Sequence, residues 1–324
     1  MSVYPIKLTP VSKQIIWGGE RLRCDYNKAA PFEKIAESWE LTHRPDGMSV
    51  IANGAYCGDT LEKYLNDHPH AVGVNCCGDR FPLLIKFIDA EDDLSIQVHP
   101  DDEYASQNET DTGKTEMWYI AEADEGASLI YGLKNEISRD GMRDLLTGGS
   151  ADGILNKISI KKGEVYFIPS GHVHAICKGA LIAEIQQNSN VTYRMYDYDR
   201  TDKDGKKREL HISKALDVIK HRTMDEIDSL RFGTSPVRRA AFDGCEILCD
   251  CSYFRVSKVT SDSSFTFNAD HTSFASLLFL EASSIAVSCG CESVEVIRGD
   301  SIFIPAGSGE VHVTGKCEFL ISEI

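Results

Sequence analysis

One pattern that occurs twice constrains the fold of this chain more than any other feature. Gly163-Glu164-Val165-Tyr166-Phe167-Ile168-Pro169-Ser170-Gly171-His172-Val173-His174 reads as a glycine turn, a short apolar strand, a proline that ends its ladder and a second glycine that turns the chain back. Arg298-Gly299-Asp300-Ser301-Ile302-Phe303-Ile304-Pro305-Ala306-Gly307 repeats that grammar near the C-terminus and runs on to Glu310 and His312. An internal repeat of a strand-and-turn unit points to two β-barrels of similar build. The copies differ where chemistry would reside: the position of His174 is Glu310 in the second copy, and His312 lies two residues beyond it. The first barrel is therefore read as the metal barrel and the second as metal-free.

The metal assignment rests on a second stretch. In Ser95-Ile96-Gln97-Val98-His99-Pro100-Asp101-Asp102, read as a strand, Gln97 and His99 point to one face because strand side chains alternate. Glu116 adds a carboxylate from another strand-like run, and His174 an imidazole from the turn. Gln97, His99, Glu116 and His174 form a mixed nitrogen and oxygen set, suited to one zinc ion per chain with positions open for substrate. No Gln-x-His strand precedes the second copy. Of the ten histidines, His43, His68, His70, His211, His221 and His271 lack such company and read as ordinary core or surface residues.

A chain of 324 residues can bury a sizeable core and suggests about two domains. No apolar run approaches the ~18 residues of a membrane span, and the N-terminus lacks a signal pattern. Eleven cysteines, an odd number, favour reduced thiols and a cytoplasmic location. Cys249-x-Cys251 and Cys289-x-Cys291 lack the usual zinc spacing and read as buried free thiols. The net charge of −16 argues against nucleic acid and anionic membranes as partners. An anionic substrate would need a local basic pocket, which draws attention to Lys86, Lys114 and Arg194.

The chain is mostly β, with strands expected at Pro82–Ile88, Met117–Ile120, Ser128–Tyr131 and Ala180–Ile185. Helices are few. Asp59-Thr60-Leu61-Glu62 reads as a capping box opening a helix that ends at His68-Pro69; Ile137–Leu146 is a second helix, and Ser213 caps a third with Leu216 and Ile219 on its inner face. The charged segment Asp199–Arg208 reads as a loop or hairpin tip. A boundary at Phe232-Gly233-Thr234-Ser235-Pro236 divides a catalytic metal-binding domain with helical insertions, 1–232, from a second domain, 233–324.

The repeated turn resembles the second motif of the cupin superfamily, whose small barrels hold a metal inside, so the expected fold is two cupin-type jelly-roll barrels. More specifically, the chain resembles the type I phosphomannose isomerases of the short bacterial form. The matching pieces run from Ile16-Trp17-Gly18-Gly19 and Glu37-Ser38-Trp39-Glu40-Leu41 through Leu84-Ile85-Lys86, Ser95–Asp101 and Gly113–Tyr119. They continue through Pro169-Ser170-Gly171, His174-Ala175, Glu184-Ile185-Gln186-Gln187, Thr192–Tyr198 and Arg208-Glu209-Leu210-His211-Ile212. The resemblance implies zinc ligation by Gln97, His99, Glu116 and His174, a catalytic arginine at Arg194, and a sugar-phosphate pocket lined by Lys86, Lys114 and Glu184. It implies interconversion of mannose 6-phosphate and fructose 6-phosphate by a monomer or homodimer. Two positions depart from the family pattern: His172 puts a second imidazole near the expected metal, and Asn190 replaces a common aspartate.

From residue type alone, Arg194 suits an oxyanion, with a structural ion pair to Asp197 or Asp199 as its alternative. Lys114 shares the metal-facing side with Glu116, and Glu184 is a base if burial raises its pKa. Trp17 is the candidate substrate contact among the tryptophans, although Trp17, Trp39 and Trp118 all suit a core. A cupin iron oxygenase and a non-catalytic metal-containing sugar-phosphate sensor are the competing functional classes.

Overall fold

The computed structural model describes residues 4–76, 78, 80–147, 153–201, 204–233, 242, 244–283 and 285–324. These residues are organised as antiparallel sheets with six short α-helices. The first half builds a six-stranded sheet (order 165–168, 116–123, 180–187, 83–89, 37–41, 11–13) and a five-stranded sheet (155–159, 128–133, 174–176, 96–98, 193–196). The second half builds a seven-stranded and a four-stranded sheet. The result is the double jelly-roll that the repeat predicts.

Packing follows from strand alternation. Within the six-stranded sheet, Lys86 lies directly opposite both Trp39 and Glu184, and Glu184 opposite Trp118, so this row shares one face. Residues one step out of phase, Ile85, Phe87, Ala183, Ile185, Met117 and Tyr119, join a hydrophobic cluster with Phe303, Leu278 and Leu320 of the seven-stranded sheet. The C-terminal core is separate and lies between the seven- and four-stranded sheets, with Val259, Phe279, Ile321, Val287, Val311 and Val313 among its members. Helices Arg139–Thr147 and Ile212–Val218 cover the outer face of the five-stranded sheet through Met142, Leu146, Ala215 and Leu216.

The N-terminal strand Ile6–Thr9 crosses to the far side. It pairs with Ser301–Ile304 of the seven-stranded sheet, Ile6 opposite Phe303. The turn of the second copy therefore forms against the first residues of the chain. Of the expected boundary, 234–236 lie outside the described residues.

The expected strands form with small extensions, as Leu83–Asp89, Glu116–Ala123, Ser128–Leu133 and Ala180–Gln187. Two caps differ. The first helix spans Leu61–Asp67 and is capped by Thr60, whose side chain accepts from Lys63 N–H; Asp59 instead pairs with the Lys63 ammonium at 3.0 Å. The third helix begins at Ile212, so Ser213 lies inside its first turn and His211 precedes it without a side-chain cap; Leu216 is buried as expected. Asp199–Arg208 is a closed tip, with Thr201 bridging Lys207, and residues 202 and 203 lie outside the described residues. Cys249, Cys251 and Cys289 are buried thiols, but Cys291 is exposed in the turn after Ile285–Cys289. No helix among the described residues is long and apolar enough to cross a membrane.

Candidate metal centre and substrate cleft

Three sheet positions converge in the first jelly-roll. His174 opens the strand His174–Ile176 and pairs directly with Gln97 on Ile96–Val98. His99 follows that strand immediately, and Glu116 opens the facing strand Glu116–Ala123. One ligand atom each from His99, Glu116 and His174 lies within 4.8 Å of the others, and all three residues are buried.

The imidazoles are oriented by backbone. His99 Nδ1 lies 2.8 Å from the Val191 carbonyl and His174 Nδ1 2.8 Å from the His172 carbonyl. Each therefore donates Nδ1–H outward, and each Nε2 keeps its lone pair toward Glu116, 3.7 Å away for His99 and 3.4 Å for His174. Burial drives both imidazoles toward the neutral form: His99 falls well below its usual pKa, and His174 falls to about 4. His99 Nε2 and Glu116 Oε1 are buried without hydrogen-bond partners. Two neutral imidazoles and one carboxylate, turned inward, are a donor set that fits a divalent ion. Gln97 lies beside them, its Nε2 placed 3.3 Å from His174 Nε2; a half turn of the amide presents its oxygen instead.

His172 stands apart from this group. Its ring packs edge-on against Tyr131 at 4.6 Å between centroids and over Gly132, where any Cβ would come within 2.8 Å of His172 Cε1. Gly132 also has φ +79°, so a side chain there would be both strained and blocked. His172 contributes its carbonyl, not its imidazole, to the centre.

Beside the metal group opens a small cleft of about 140 Å³, lined by Trp17, Lys86, Gln97, Lys114, Glu184 and Arg194, among others. Trp17 is only 3% exposed and meets the cleft while belonging to the core. Lys114 Nζ lies 3.0 Å from Glu116 Oε2. Lys86 Nζ sits between Glu184 Oε1, 3.2 Å, and Glu37 Oε2, 3.6 Å.

The two carboxylates of the cleft separate electrostatically. Burial and the neighbouring Glu184 push the Glu116 carboxyl up to about 7, against the pull of Lys114. Burial acts the same way on Glu184, but Lys86, Lys114 and the Trp118 Nε1–H, 3.0 Å away, outweigh it and hold Glu184 at about 2. The raised pKa on which a base role for Glu184 was conditioned is thus not what this environment produces.

Arg194 has neither ion pair weighed for it. Asp197 is taken by Arg200 at 2.6 Å and by Arg208, and Asp199 by Lys207 at 2.5 Å. Arg194 makes no ion pair among the described residues: Nη1 donates to the Glu209 carbonyl at 2.8 Å, and Nε is buried without a partner. Its Nε edge is therefore open to an anion.

Arg208, Glu37, Ser95 and Thr192 also line the cleft and were not singled out from the sequence. Ser95 could have been found, since it lies two residues before Gln97 on the same face. Arg208 and Glu37 carry no comparable local signal. In the second jelly-roll, Glu310 and His312 alternate with the core residues Val311 and Val313. They face outward at 68% and 44% side-chain exposure, 3.0 Å apart.

The comparisons agree with this architecture. Residues 6–130 match the catalytic domain of phosphomannose isomerase type I, and residues 246–324 match the cupin domain of mannose-6-phosphate isomerase. GmuF of Bacillus subtilis, named a probable mannose-6-phosphate isomerase, is 39% identical over 98% of this chain and 99% of its own. The mannose-6-phosphate isomerase ManA of the same organism is 37% identical over the whole of both chains. The crystal structure of the mannose 6-phosphate isomerase from Bacillus subtilis superposes with a TM-score of 0.88 at 38% identity, covering 99% of each chain. With the centre, the cleft and the double cupin fold in place, this chain belongs to the type I phosphomannose isomerase family and is an isomerase.

Proposed function

We propose that the chain interconverts mannose 6-phosphate and fructose 6-phosphate in the cytoplasm, using one zinc ion held by Gln97, His99, Glu116 and His174. The observation that carries this reading is the inward-turned His99–Glu116–His174 group beside a cleft with an unpaired arginine. The names of the relatives supply the substrate. Residues 1–232 would carry the chemistry, and 233–324, with its N-terminal strand partner, would support it.

Aldose–ketose isomerisation moves a proton between C1 and C2 through an enediolate, so charge must be stabilised on oxygen while a base acts at carbon. When bound, the zinc ion would supply Lewis acidity and a template for the substrate oxygens. Arg194 offers its buried Nε edge to developing oxyanion charge. Lys114, held by Glu116, places a second cation at that end. Glu184, kept ionised, fixes Lys86 at the cleft wall, and Trp17 closes the apolar side.

A coupled assay for fructose 6-phosphate, with and without chelator and paired with metal analysis, tests the proposal. Turnover that vanishes on chelation and returns with zinc is the expected result. Full activity in metal-free protein would refute it. An iron oxygenase would show oxygen consumption instead, and a sensor would bind without turnover.

A further inference from the structure

Outside the metal centre lies a second cluster of charges: Arg200 and Arg208 around the buried carboxylate of Asp197, with Arg194 near enough to feel all three. Arg208 donates through Nε to Asp197 Oδ2 at 2.8 Å and through Nη2 to Oδ1, a two-pronged pairing that fixes its plane. Arg200 shares Oδ1 at 2.6 Å, and its only other carboxylate among the described residues is the exposed Asp92, 3.9 Å away. Arg208 Nη1 makes no hydrogen bond among the described residues.

The charge is divided unevenly along the cleft. At the metal end, Lys86 and Lys114 are matched by Glu37, Glu184 and Glu116. At the other end, three guanidiniums face one buried carboxylate. Arg208 and Arg200 contribute to holding the Arg194 pKa below its usual value, after burial itself, as expected of cations crowded without enough anions. Arg208 lines both this cleft and an adjoining outer cavity shared with Ile15, Ile16, Lys34 and Arg200. It stands where a ligand's far end would meet solvent. In a chain of net charge −16, so local a positive surplus is a binding feature for an anion.

We infer that Arg208 is a specificity-determining residue that receives the dianionic phosphate of the substrate at the outer end of the cleft, and that Asp197 is the positioning residue that aims it. The inference rests on the proposed sugar-phosphate reading but is separable from it. The phosphate matches the positive surplus that Arg200 and Arg208 leave around Asp197, and seating it there turns the other end of the sugar toward Arg194 and the metal group.

The test uses inorganic phosphate as probe. Calorimetry on the zinc-loaded protein measures its Kd in wild type and Arg208→Gln, alongside kcat and KM for mannose 6-phosphate. Loss of one charge-assisted contact is expected to raise both the phosphate Kd and KM roughly ten- to hundredfold, with kcat changed far less and zinc content unchanged. Asp197→Asn is expected to raise KM with little change in kcat, a split that general loss of folded protein would not give. Kd and KM within twofold of wild type in Arg208→Gln would overturn the inference. Should that variant not fold, Arg208→Lys decides by the same threshold, since it keeps the charge against Asp197 but lacks the Nη1 donor. If wild type binds phosphate through Arg208 yet does not isomerise mannose 6-phosphate, the proposed reaction fails and the anion seat stands.

Discussion

Replacing Lys86 by methionine removes the charge from a buried network while nearly keeping its volume. Lys86 and Glu184 are each 3% exposed, 3.2 Å apart, with the ammonium also 5.4 Å from the centre of the Trp39 ring. In the folded protein Glu184 titrates at about 2, against an ordinary value of 4.5. A folded pKa below the unfolded one contributes stability that is fully present above about 4.5 and is lost as pH falls through 2. Removing one partner of a buried pair costs ~3–5 kcal/mol, because the other charge is left stranded. Lys86→Met should therefore destabilise the protein by about 3 kcal/mol at pH 7. The pH dependence should also weaken: with Lys86 gone, only Lys114 and the Trp118 Nε1–H still oppose burial, so the Glu184 pKa rises and the stability it loses in acid shrinks. Adding Glu184→Gln to Lys86→Met should restore most of the loss, because no buried charge is then stranded. Glu184→Gln alone should cost less, since Lys86 keeps Glu37 at 3.6 Å. Urea denaturation of the four proteins at pH 7 and pH 5 measures each quantity. A loss below about 1 kcal/mol, the scale of an exposed pair, or no rescue by the second substitution, would refute the reasoning.

Further outcomes follow from the same geometry. His99→Ala or Glu116→Ala should remove the bound metal and nearly all turnover, measured by metal analysis and the coupled assay, because the site then loses one of its two imidazoles or its only carboxylate. Glu310→Ala and His312→Ala should leave metal content unchanged, since these side chains face solvent outside the second core; loss of one equivalent in either would show otherwise. Arg194→Lys should retain zinc and fold but lose on the order of a hundredfold in kcat, the scale of one preorganised oxyanion donor, while near wild-type kinetics would assign Arg194 to structure.

Much of the fold was legible in short windows. Alternation predicted the long strands, and glycine and proline at fixed offsets predicted both turns, because φ restrictions and the period of two act within a few residues. The candidate donor group His99, Glu116 and His174 was legible for the same reason: each opens or directly follows a strand whose facing is set locally. What the sequence did not determine is everything decided between distant segments. The strand Ile6–Thr9 chose Ser301–Ile304 as its partner, a pairing that depends on chain closure and not on either window. The sign of the Glu184 shift depends on Lys86 lying opposite it and on Lys114 nearby; burial alone gives the opposite answer. His172 turned away because Gly132 and Tyr131 made room for its ring. Arg194 has no ion pair with Asp197, whose oxygens are taken by Arg200 and Arg208. Backbone conformation is a local property and can be read along the chain, whereas the state of a charge is set by its neighbours in space, which only the tertiary structure supplies.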